Sequence, residues 1–220
     1  MKSWIEEDNI NYEYIIRYLR DTIPPREGYI KEMEEYAKAN DVPISQPESI
    51  RFIEVLLKIM SAGKVLEVGS AIGYSAIRMS QSCGADIVTI ELSNEMADIA
   101  EANIKKMGLD EKIHLLRGDG VKVLAQMPGE EEYDAIFVDA AKGQYMEFFP
   151  HCMRLLKKGG VLISDNVLYK GMTATDELVV RRKITIVRRL RAYLDMLNSH
   201  PELSTAILPI GDGVALSFKE

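Results

Sequence analysis

The segment that most constrains the fold is a glycine-bearing turn that follows residues 65–68. Those residues are apolar except for Glu67, and they lead directly into a turn that contains Gly69 and Gly73. Glycine lets the backbone approach a ligand closely, and a helix beginning near Tyr74 directs the free N–H groups of its first turn toward the same place. The pattern predicts a β-strand, a ligand-binding turn and an α-helix in succession. A tight connection that binds nothing is the alternative.

Four later apolar runs also end close to an acidic residue. The runs are 87–90, 113–116, 135–138 and 161–164, and the acidic residues are Glu91, Asp119, Asp139 and Asp165. Continuous apolar runs separated by helical patterns are typical of buried parallel strands, and such sheets bind ligands at the carboxyl ends of their strands. We therefore expect the carboxylates to converge on one edge of a sheet. At any single position, the alternative is a carboxylate that caps the following helix.

Helices are predicted before the first strand. Apolar residues at helical spacing predict helices at 9–20 and 27–39, and two prolines end the first of them. Ser45 and the glutamate three residues later form a capping-box pattern with Pro47 inside it, which predicts a third helix to about residue 60. We expect one α/β domain with a helical cap at 1–60 and a body at 61–220.

Two strands are predicted near the end of the chain, at 205–210 and 214–218. The intervening Gly-Asp-Gly at 211–213 is a strong signal for a hairpin turn.

Composition excludes several classes of protein. The chain of 220 residues is 47% hydrophobic and 28% charged, as in an ordinary globular domain. It has no run of the roughly 18 apolar residues that a membrane span needs, and its first residues are polar and acidic, unlike a secretory signal. We expect a cytoplasmic protein. The cysteines and histidines show no disulfide or metal-ligand pattern. They are Cys83, Cys152, His114, His151 and His200.

The first turn also favours one class of ligand. Its spacing is E-x-G-x-x-x-G, whereas turns that bind a dinucleotide pyrophosphate read G-x-G-x-x-G. An acidic residue inside the turn favours a ligand with a cationic or hydroxyl-rich part. S-adenosylmethionine has both, in its ammonium group and its ribose, and is preferred here to a nicotinamide dinucleotide.

Several segments together resemble the class I S-adenosylmethionine-dependent methyltransferases, and within them the metal-dependent O-methyltransferases that include the catechol and caffeoyl-CoA enzymes. The segments are VLEVGSAIGYSA, TIEL, GDG at 118–120, YDAIFVDAAKGQY, ISDNVLYKG and GDGVALS. In particular, AAKGQY, DNVLYKG and the HPELSTAILPIGDG tail resemble the bacterial tRNA 5-hydroxyuridine methyltransferases. The resemblance implies a Rossmann-like, seven-stranded, mostly parallel sheet that ends in an antiparallel hairpin.

Residue types at the strand ends suggest how the cofactor is held. Glu91 can accept hydrogen bonds from both ribose hydroxyls, as an acid does in dinucleotide-binding sheets, and Asp119 suits the adenine amino group. Glu67 and Ser75 are expected near the amino-acid end of the cofactor, where Gly69 gives room. The resemblance adds Ser45 as a second possibility beside its capping role. The cofactor-binding prediction is Ser45, Glu67, Gly69, Ser75, Glu91, Asp119 and Asp139.

A second group of residues predicts a cation site. Asp139, Asp165 and Asn166 offer three oxygen ligands with no thiolate or imidazole, a set that selects a hard cation such as Mg²⁺. Such an ion would act as a Lewis acid on a substrate hydroxyl. Lys142 lies three residues after Asp139 and resembles the lysine that removes the hydroxyl proton in the catechol enzymes. We expect Asp139 and Lys142 to be the catalytic residues.

The substrate is less constrained. The net charge of −7 is unlike that of a nucleic-acid binder. A local cluster of basic residues could nevertheless contact tRNA phosphates from a helix beside the active site. It consists of Lys170, Arg181, Arg182, Lys183, Arg188, Arg189 and Arg191. The alternative for this cluster is a solvated helix face.

The resemblance favours methylation of 5-hydroxyuridine at the wobble position of tRNA. The main alternative is a small-molecule O-methyltransferase acting on catechols or other phenols. A non-catalytic protein that binds S-adenosylmethionine or RNA is a third possibility. Relatives are often homodimers, and the N-terminal helices, with Trp4, Tyr12 and Tyr14, could form the interface or could cover the body of their own chain.

Overall fold

A computed structural model describes residues 10–220 of the chain. Within these residues, eight α-helices and seven β-strands follow one another. The helices are α1 Glu13–Thr22, α2 Gly28–Ala39, α3 Pro47–Ile59, α4 Tyr74–Cys83, α5 Asn94–Lys106, α6 Gly120–Gln126, α7 Tyr145–Leu155 and α8 Ile184–Ser199. The strands are β1 Lys64–Val68, β2 Asp86–Glu91, β3 Ile113–Arg117, β4 Tyr133–Val138, β5 Leu156–Ser164, β6 Leu203–Leu208 and β7 Val214–Lys219.

The seven strands form one sheet in the order β3-β2-β1-β4-β5-β7-β6. The first five are parallel, whereas β7 runs antiparallel to both β5 and β6. The register aligns the strand ends, since Val68 pairs with Ile90 and Val138, and Val138 pairs with Ser164. The residues that follow these strands therefore meet at one edge, and the predicted fold is confirmed.

The sheet is covered on both faces, which explains the continuous apolar runs of its strands. Val65 and Ile163 point to a core that includes Ile77 of α4, while Leu66 and Leu162 point to a second core on the opposite face. Neighbouring residues of one strand thus enter different cores, because side chains alternate across a sheet.

The structure corrects the predicted start of α3. Gln46, not Ser45, is the N-cap residue, and no side chain caps the helix. Pro47 occupies the first turn, where its missing N–H costs nothing. The capping-box prediction is therefore wrong.

Other boundaries shift by a few residues. Helix α1 begins at Glu13 instead of residue 9, and β6 occupies Leu203–Leu208, two residues earlier than predicted. Pro209 follows β6 directly, where its lack of an N–H ends the strand.

The exposed aromatic residues of the N-terminal region bear on the predicted dimer. The side chains of Tyr12 and Tyr14 stack on each other and are 70% and 68% exposed, so they do not cover the body of their own chain. Trp4 lies outside the described residues, and the homodimer stays a prediction. None of the helices within residues 10–220 has the length and apolar character needed to cross a membrane.

Candidate active site

A cavity of about 1540 Å³ opens at the carboxyl edge of the parallel strands. Its walls come from the ends of β1, β2, β4 and β5, from α1, from residues 42–47 and from the turn before β7. Most of the predicted site residues line it. They are Ser45, Gly69, Ser75, Glu91, Asp119, Asp139, Lys142, Asp165, Asn166 and Lys170.

The turn after β1 is held close to the end of β4. Gly69 has φ 103°, a conformation that favours glycine, and a Cβ atom at this position would collide with the backbone carbonyl oxygen of Asp139. The N–H groups of Gly69 and Ser70 donate to the carbonyl oxygen of Ile90, at 3.0 and 3.2 Å. Gly69 is therefore required first by the packing of two strand ends, rather than by room for a ligand.

Glu67 lies beneath this turn and not at the cavity surface. Its side chain is fully buried, and its two carboxylate oxygens accept hydrogen bonds from Ser75 Oγ and, at 2.5 Å, from Thr89 Oγ1. Burial raises the pKa of Glu67 to about 7, against the opposing effect of these two hydroxyls. The structure thus places Glu67 behind Ser75, which itself lines the cavity.

Glu91 is oriented by backbone groups at the end of β2. Its two oxygens accept hydrogen bonds from the N–H groups of Ala71 and Ser93, both at 2.8 Å. Ser93 is the residue that caps α5, through a bond from Met96 N to its Oγ. Glu91 is therefore not a helix cap, and its fixed carboxylate faces the cavity.

Asp119 caps a helix at the edge of the cavity. It is the N-cap residue of α6 and accepts a hydrogen bond from Lys122 N at 3.1 Å. It also lines the cavity.

Three buried serine hydroxyls have no hydrogen-bond partner within the described part of the chain. Two of them, Ser45 Oγ and Ser70 Oγ, belong to residues that line the cavity. A buried hydroxyl without a partner costs free energy, so the pair fits a cavity whose polar ligand supplies the missing hydrogen bonds.

Two carboxylates and an amide meet at the ends of β4 and β5. Asp139 and Asp165 follow the register pair Val138 and Ser164, and Asn166 N donates to Asp165 Oδ1 at 2.7 Å. Burial, followed by the charge of Asp139, raises the pKa of Asp165 to about 8. Asn166 has φ 55°, a left-handed conformation that asparagine tolerates better than most residues.

Lys142 stands over the same edge. Its Nζ lies 3.3 Å from Asp139 Oδ1, and about a quarter of its side chain is exposed. It belongs to a 3₁₀ turn at Lys142–Gln144, and Arg189 of α8 donates to the carbonyl oxygen of Gly143 in that turn at 2.9 Å.

Sequence reasoning missed two residues that shape this edge. Tyr145 is buried below the strand ends, and Asp212 lines the cavity from the turn before β7. Asp212 Oδ1 accepts a hydrogen bond from Lys170 N, and its carbonyl oxygen accepts one from Leu168 N at 3.0 Å. Only the strand order, which places β7 beside β5, indicates that this turn reaches the site.

The basic cluster does not form one helical face. Arg181–Lys183 form a 3₁₀ turn before α8 and are not part of the helix. Arg189 contacts Gly143, and Arg191 donates to the carbonyl oxygens of Met172 and Thr173. Arg189 and Arg191 therefore hold segments of the fold together through backbone carbonyls. The members exposed to solvent are Lys170, Arg181, Arg182, Arg188 and Arg189.

The sheet order, the reversed β7 and the turn after β1 define the architecture of a class I methyltransferase. The O-methyltransferase family model matches residues 26–220, and the chain belongs to this family. The caffeoyl-CoA O-methyltransferase of Medicago sativa is 30% identical, over 98% of this chain and 90% of its own length.

Solved structures agree with this assignment. A Staphylococcus aureus structure with the provisional name caffeoyl-CoA O-methyltransferase is 30% identical and has a TM-score of 0.87, covering 94% of this chain and 100% of the other. An O-methyltransferase of Bacillus cereus in complex with SAH is 26% identical, with a TM-score of 0.83 and coverage of 94% and 97%. The chain is an S-adenosylmethionine-dependent O-methyltransferase.

Proposed function

We propose that this enzyme methylates one hydroxyl of a small phenolic molecule that carries a second oxygen on the adjacent carbon, and that it uses Mg²⁺. The observation that carries the proposal is the placement of Asp139, Asp165 and Asn166 on the wall of the same cavity as the turn after β1, here called the cofactor turn. The small-molecule substrate is supported by the curated relatives, which are named for caffeoyl-CoA. A catechol-type pair of oxygens suits a site in which both can reach one cation.

The cofactor is assigned to the part of the cavity formed by β1, β2 and α6. Glu91 accepts hydrogen bonds from the ribose hydroxyls, because two backbone N–H groups already fix its carboxylate. Asp119 accepts one from the adenine amino group. The hydroxyls of Ser45, Ser70 and Ser75 lie toward the amino-acid end, where the first two gain the partners that they lack.

The residues at the ends of β4 and β5 fit a divalent cation. Their donors are oxygen atoms, which hard cations prefer. Burial and, after it, the neighbouring charge of Asp139 raise the pKa of Asp165. When bound, a cation supplies charge that favours both ionised carboxylates and lowers the pKa of a coordinated hydroxyl.

Lys142 is the proposed general base. Acting as the neutral amine, its Nζ receives the proton of the acceptor hydroxyl, and Asp139 Oδ1, 3.3 Å away, stabilises the ammonium group that results. The deprotonated oxygen then bonds to the methyl carbon of the sulfonium while the bond between that carbon and sulfur breaks, leaving S-adenosylhomocysteine. Most of the rate enhancement comes from positioning, since both reactants occupy one cavity.

A tRNA substrate is the second candidate, and one observation favours it. Arg181, Arg182 and Arg188 are exposed, as is Lys170, which lines the cavity. Exposed arginines contact phosphates well, and affinity for tRNA would then fall steeply with salt. The net charge of −7 and the structural roles of Arg189 and Arg191 weaken this alternative.

One experiment separates these possibilities. The purified protein is incubated with S-adenosylmethionine and Mg²⁺ and either catechol or tRNA that contains 5-hydroxyuridine, and the products are identified by mass spectrometry. We expect methylated catechol, no methylated nucleoside, and loss of product with a chelator or with Asp165→Ala. Methylation of the tRNA alone would establish the second candidate. Full activity of Asp165→Ala in the presence of chelator would refute the cation site.

Lys142 is tested in the same assay. Lys142→Ala is expected to lower kcat while leaving the affinity for S-adenosylmethionine unchanged, because the lysine acts on the acceptor. Lys122→Ala, at an exposed position of α6, serves as the control.

A further inference from the structure

Tyr145 joins the ends of the two strands that carry the acidic pair. It is the first residue of α7, and its side chain is 1% exposed. Its hydroxyl lies 2.8 Å from the carbonyl oxygen of Asp165 and 3.2 Å from that of Val138, the residue before Asp139. One phenol hydrogen is thus shared between two backbone carbonyls on adjacent strands.

This bridge lies where the regular pairing of β4 and β5 stops. Asp165 N donates to Val138 O at 3.0 Å, just beyond the last register pair of the two strands. Past this point, parallel strands lack ladder bonds to fix their separation. The Tyr145 hydroxyl contacts both chains at that point and therefore restrains the distance between them.

The ring of Tyr145 is itself held firmly in the core. It packs edge to face against Tyr193, with ring centroids 5.4 Å apart, and is tilted against Phe148, with ring centroids 6.4 Å apart. The hydroxyl thus has a fixed position, which a restraint on the strand ends requires.

We infer that Tyr145 is a positioning residue, which sets the separation of the Asp139 and Asp165 carboxylates and thereby tunes their affinity for a divalent cation. The inference rests on the proposed cation site. Groups that fix the orientation of metal ligands without binding the metal themselves affect metal affinity strongly, and their loss commonly weakens that affinity by 10- to 100-fold.

The test is Tyr145→Phe, which removes the hydroxyl and keeps the ring. Tyr193→Phe is the matched control, because Tyr193 is equally buried and its hydroxyl bonds to Ser164 Oγ at 2.7 Å instead of to the two carbonyls. Mn²⁺ binding is measured by electron paramagnetic resonance of the free ion, and S-adenosylmethionine binding by calorimetry. We expect Mn²⁺ affinity to fall about tenfold in Tyr145→Phe only, with cofactor affinity within twofold of wild type in both variants.

Kinetics provide a second readout. If Tyr145 acts through the cation site, saturating Mn²⁺ restores most of the kcat of Tyr145→Phe, which a general loss of packing would not allow. Equal loss of Mn²⁺ affinity in both variants, or failure of saturating Mn²⁺ to restore turnover, would overturn the inference.

The outcomes also separate this inference from the proposed function. Wild-type protein that binds no Mn²⁺ would refute the cation site, and with it the role of Tyr145. A different result would refute the role of Tyr145 alone. In that case wild-type protein binds Mn²⁺, Asp165→Ala abolishes this binding, and Tyr145→Phe binds Mn²⁺ with the same affinity as wild type.

Discussion

At the scale of single residues, Glu67 gives the fold an internal pH dependence. The carboxyl group is fully buried in β1, and burial raises its pKa from 4.5 to about 7. The folded state therefore holds its proton at pH values where the unfolded chain releases it. As pH rises from about 4.5 through 7, this group lowers the free energy of unfolding, because the ionised form must stay buried.

Glu67→Gln tests this effect. Glutamine can keep hydrogen bonds to Ser75 and Thr89 but has no charge to bury. We expect the variant to gain about 2 kcal/mol of stability relative to wild type between pH 5 and pH 8, at 1.36 kcal/mol per pKa unit. Urea unfolding gives the free energy of unfolding of both proteins at pH 5 and at pH 8, and the difference between variant and wild type is then compared at the two pH values. A stability difference that is the same at pH 5 and pH 8 would show that the pKa of Glu67 is not raised.

Gly69 makes a second residue-scale prediction. Gly69→Ala places a Cβ against the carbonyl oxygen of Asp139, whereas Gly84→Ala, also at positive φ, meets nothing within 4 Å. We expect Gly84→Ala to lose about 1–2 kcal/mol from the left-handed backbone alone. Gly69→Ala is expected to lose more and to weaken cofactor binding, which thermal unfolding and calorimetry measure. Equal losses in the two variants would contradict the packing argument.

The sequence predicted which residues reach the site better than it predicted how each one is used. Glu91 and Asp165 were found because acids at the ends of parallel strands share one edge. The burial of Glu67 was not predictable, since Thr89, its partner on β2, becomes a neighbour only through the strand register. Tyr145 was missed for a related reason. Its hydroxyl binds backbone carbonyls, and because every residue has one, the sequence does not show which carbonyls a hydroxyl will contact.

At the scale of elements, α1 differs from the other helices because it contains no buried residue. It nevertheless forms one wall of the cavity. Arg20 connects it to α3, with Nε and Nη2 at 2.8 and 2.9 Å from the two carboxylate oxygens of the buried Glu48. An arginine that donates to both oxygens of one carboxylate forms a strong bidentate pair, so this contact helps to hold α1 against α3.

Arg20→Met is expected to loosen α1 without unfolding the body. Hydrogen exchange at Glu13–Thr22 should accelerate at least severalfold, because a helix without buried side chains depends on such contacts. Arg17→Met is the control, since within residues 10–220 Arg17 pairs with Glu13 of the same helix, in an exposed i,i+4 arrangement worth about 0.3–0.5 kcal/mol. Similar exchange rates in both variants would argue that Arg20 does not anchor the helix.

The elements themselves were largely predictable. Five continuous apolar runs identified β1 to β5, and the Gly-Asp-Gly turn identified the hairpin. Helix starts were less certain. Ser45 carried the capping pattern, yet it lines the cavity, and Gln46 is the N-cap residue of α3. Likewise, Arg181–Lys183 read as part of a helix but form a separate 3₁₀ turn, since the buried residues of α8 begin only at Val187.

At the scale of the whole molecule, one sheet connects two cores. Ile77 of α4 belongs to the core that also holds Met33 of α2, and Leu190 of α8 belongs to the core on the other face. Because residues of the helical cap and of the body share the first core, we propose that the chain unfolds as a single domain. The division into a cap at 1–60 and a body at 61–220 would then describe the order of the elements along the chain, and not two units that unfold separately.

Ile77→Ala and Leu190→Ala test this proposal from opposite faces of the sheet. Both side chains are fully buried, so each truncation is expected to cost about 2–5 kcal/mol. Far-ultraviolet circular dichroism follows the helices, and near-ultraviolet circular dichroism follows the buried tyrosines. In a single cooperative unit the two signals change at one shared midpoint in each variant, because neither core can unfold without releasing the sheet that supports the other.

The exposed Ile59→Ala is the control, with an expected change below about 0.5 kcal/mol. S-adenosylmethionine adds a second measure, since a ligand that binds only the folded state raises the midpoint of every variant that still folds. A Leu190→Ala protein with two transitions, one lowered and one at the wild-type midpoint, would show that the two faces unfold separately. The cofactor would then stabilise only the unit that contains its binding turn. Coincident transitions that the cofactor shifts together would instead show that the sheet couples the cap, the cofactor turn and α8 into one unit.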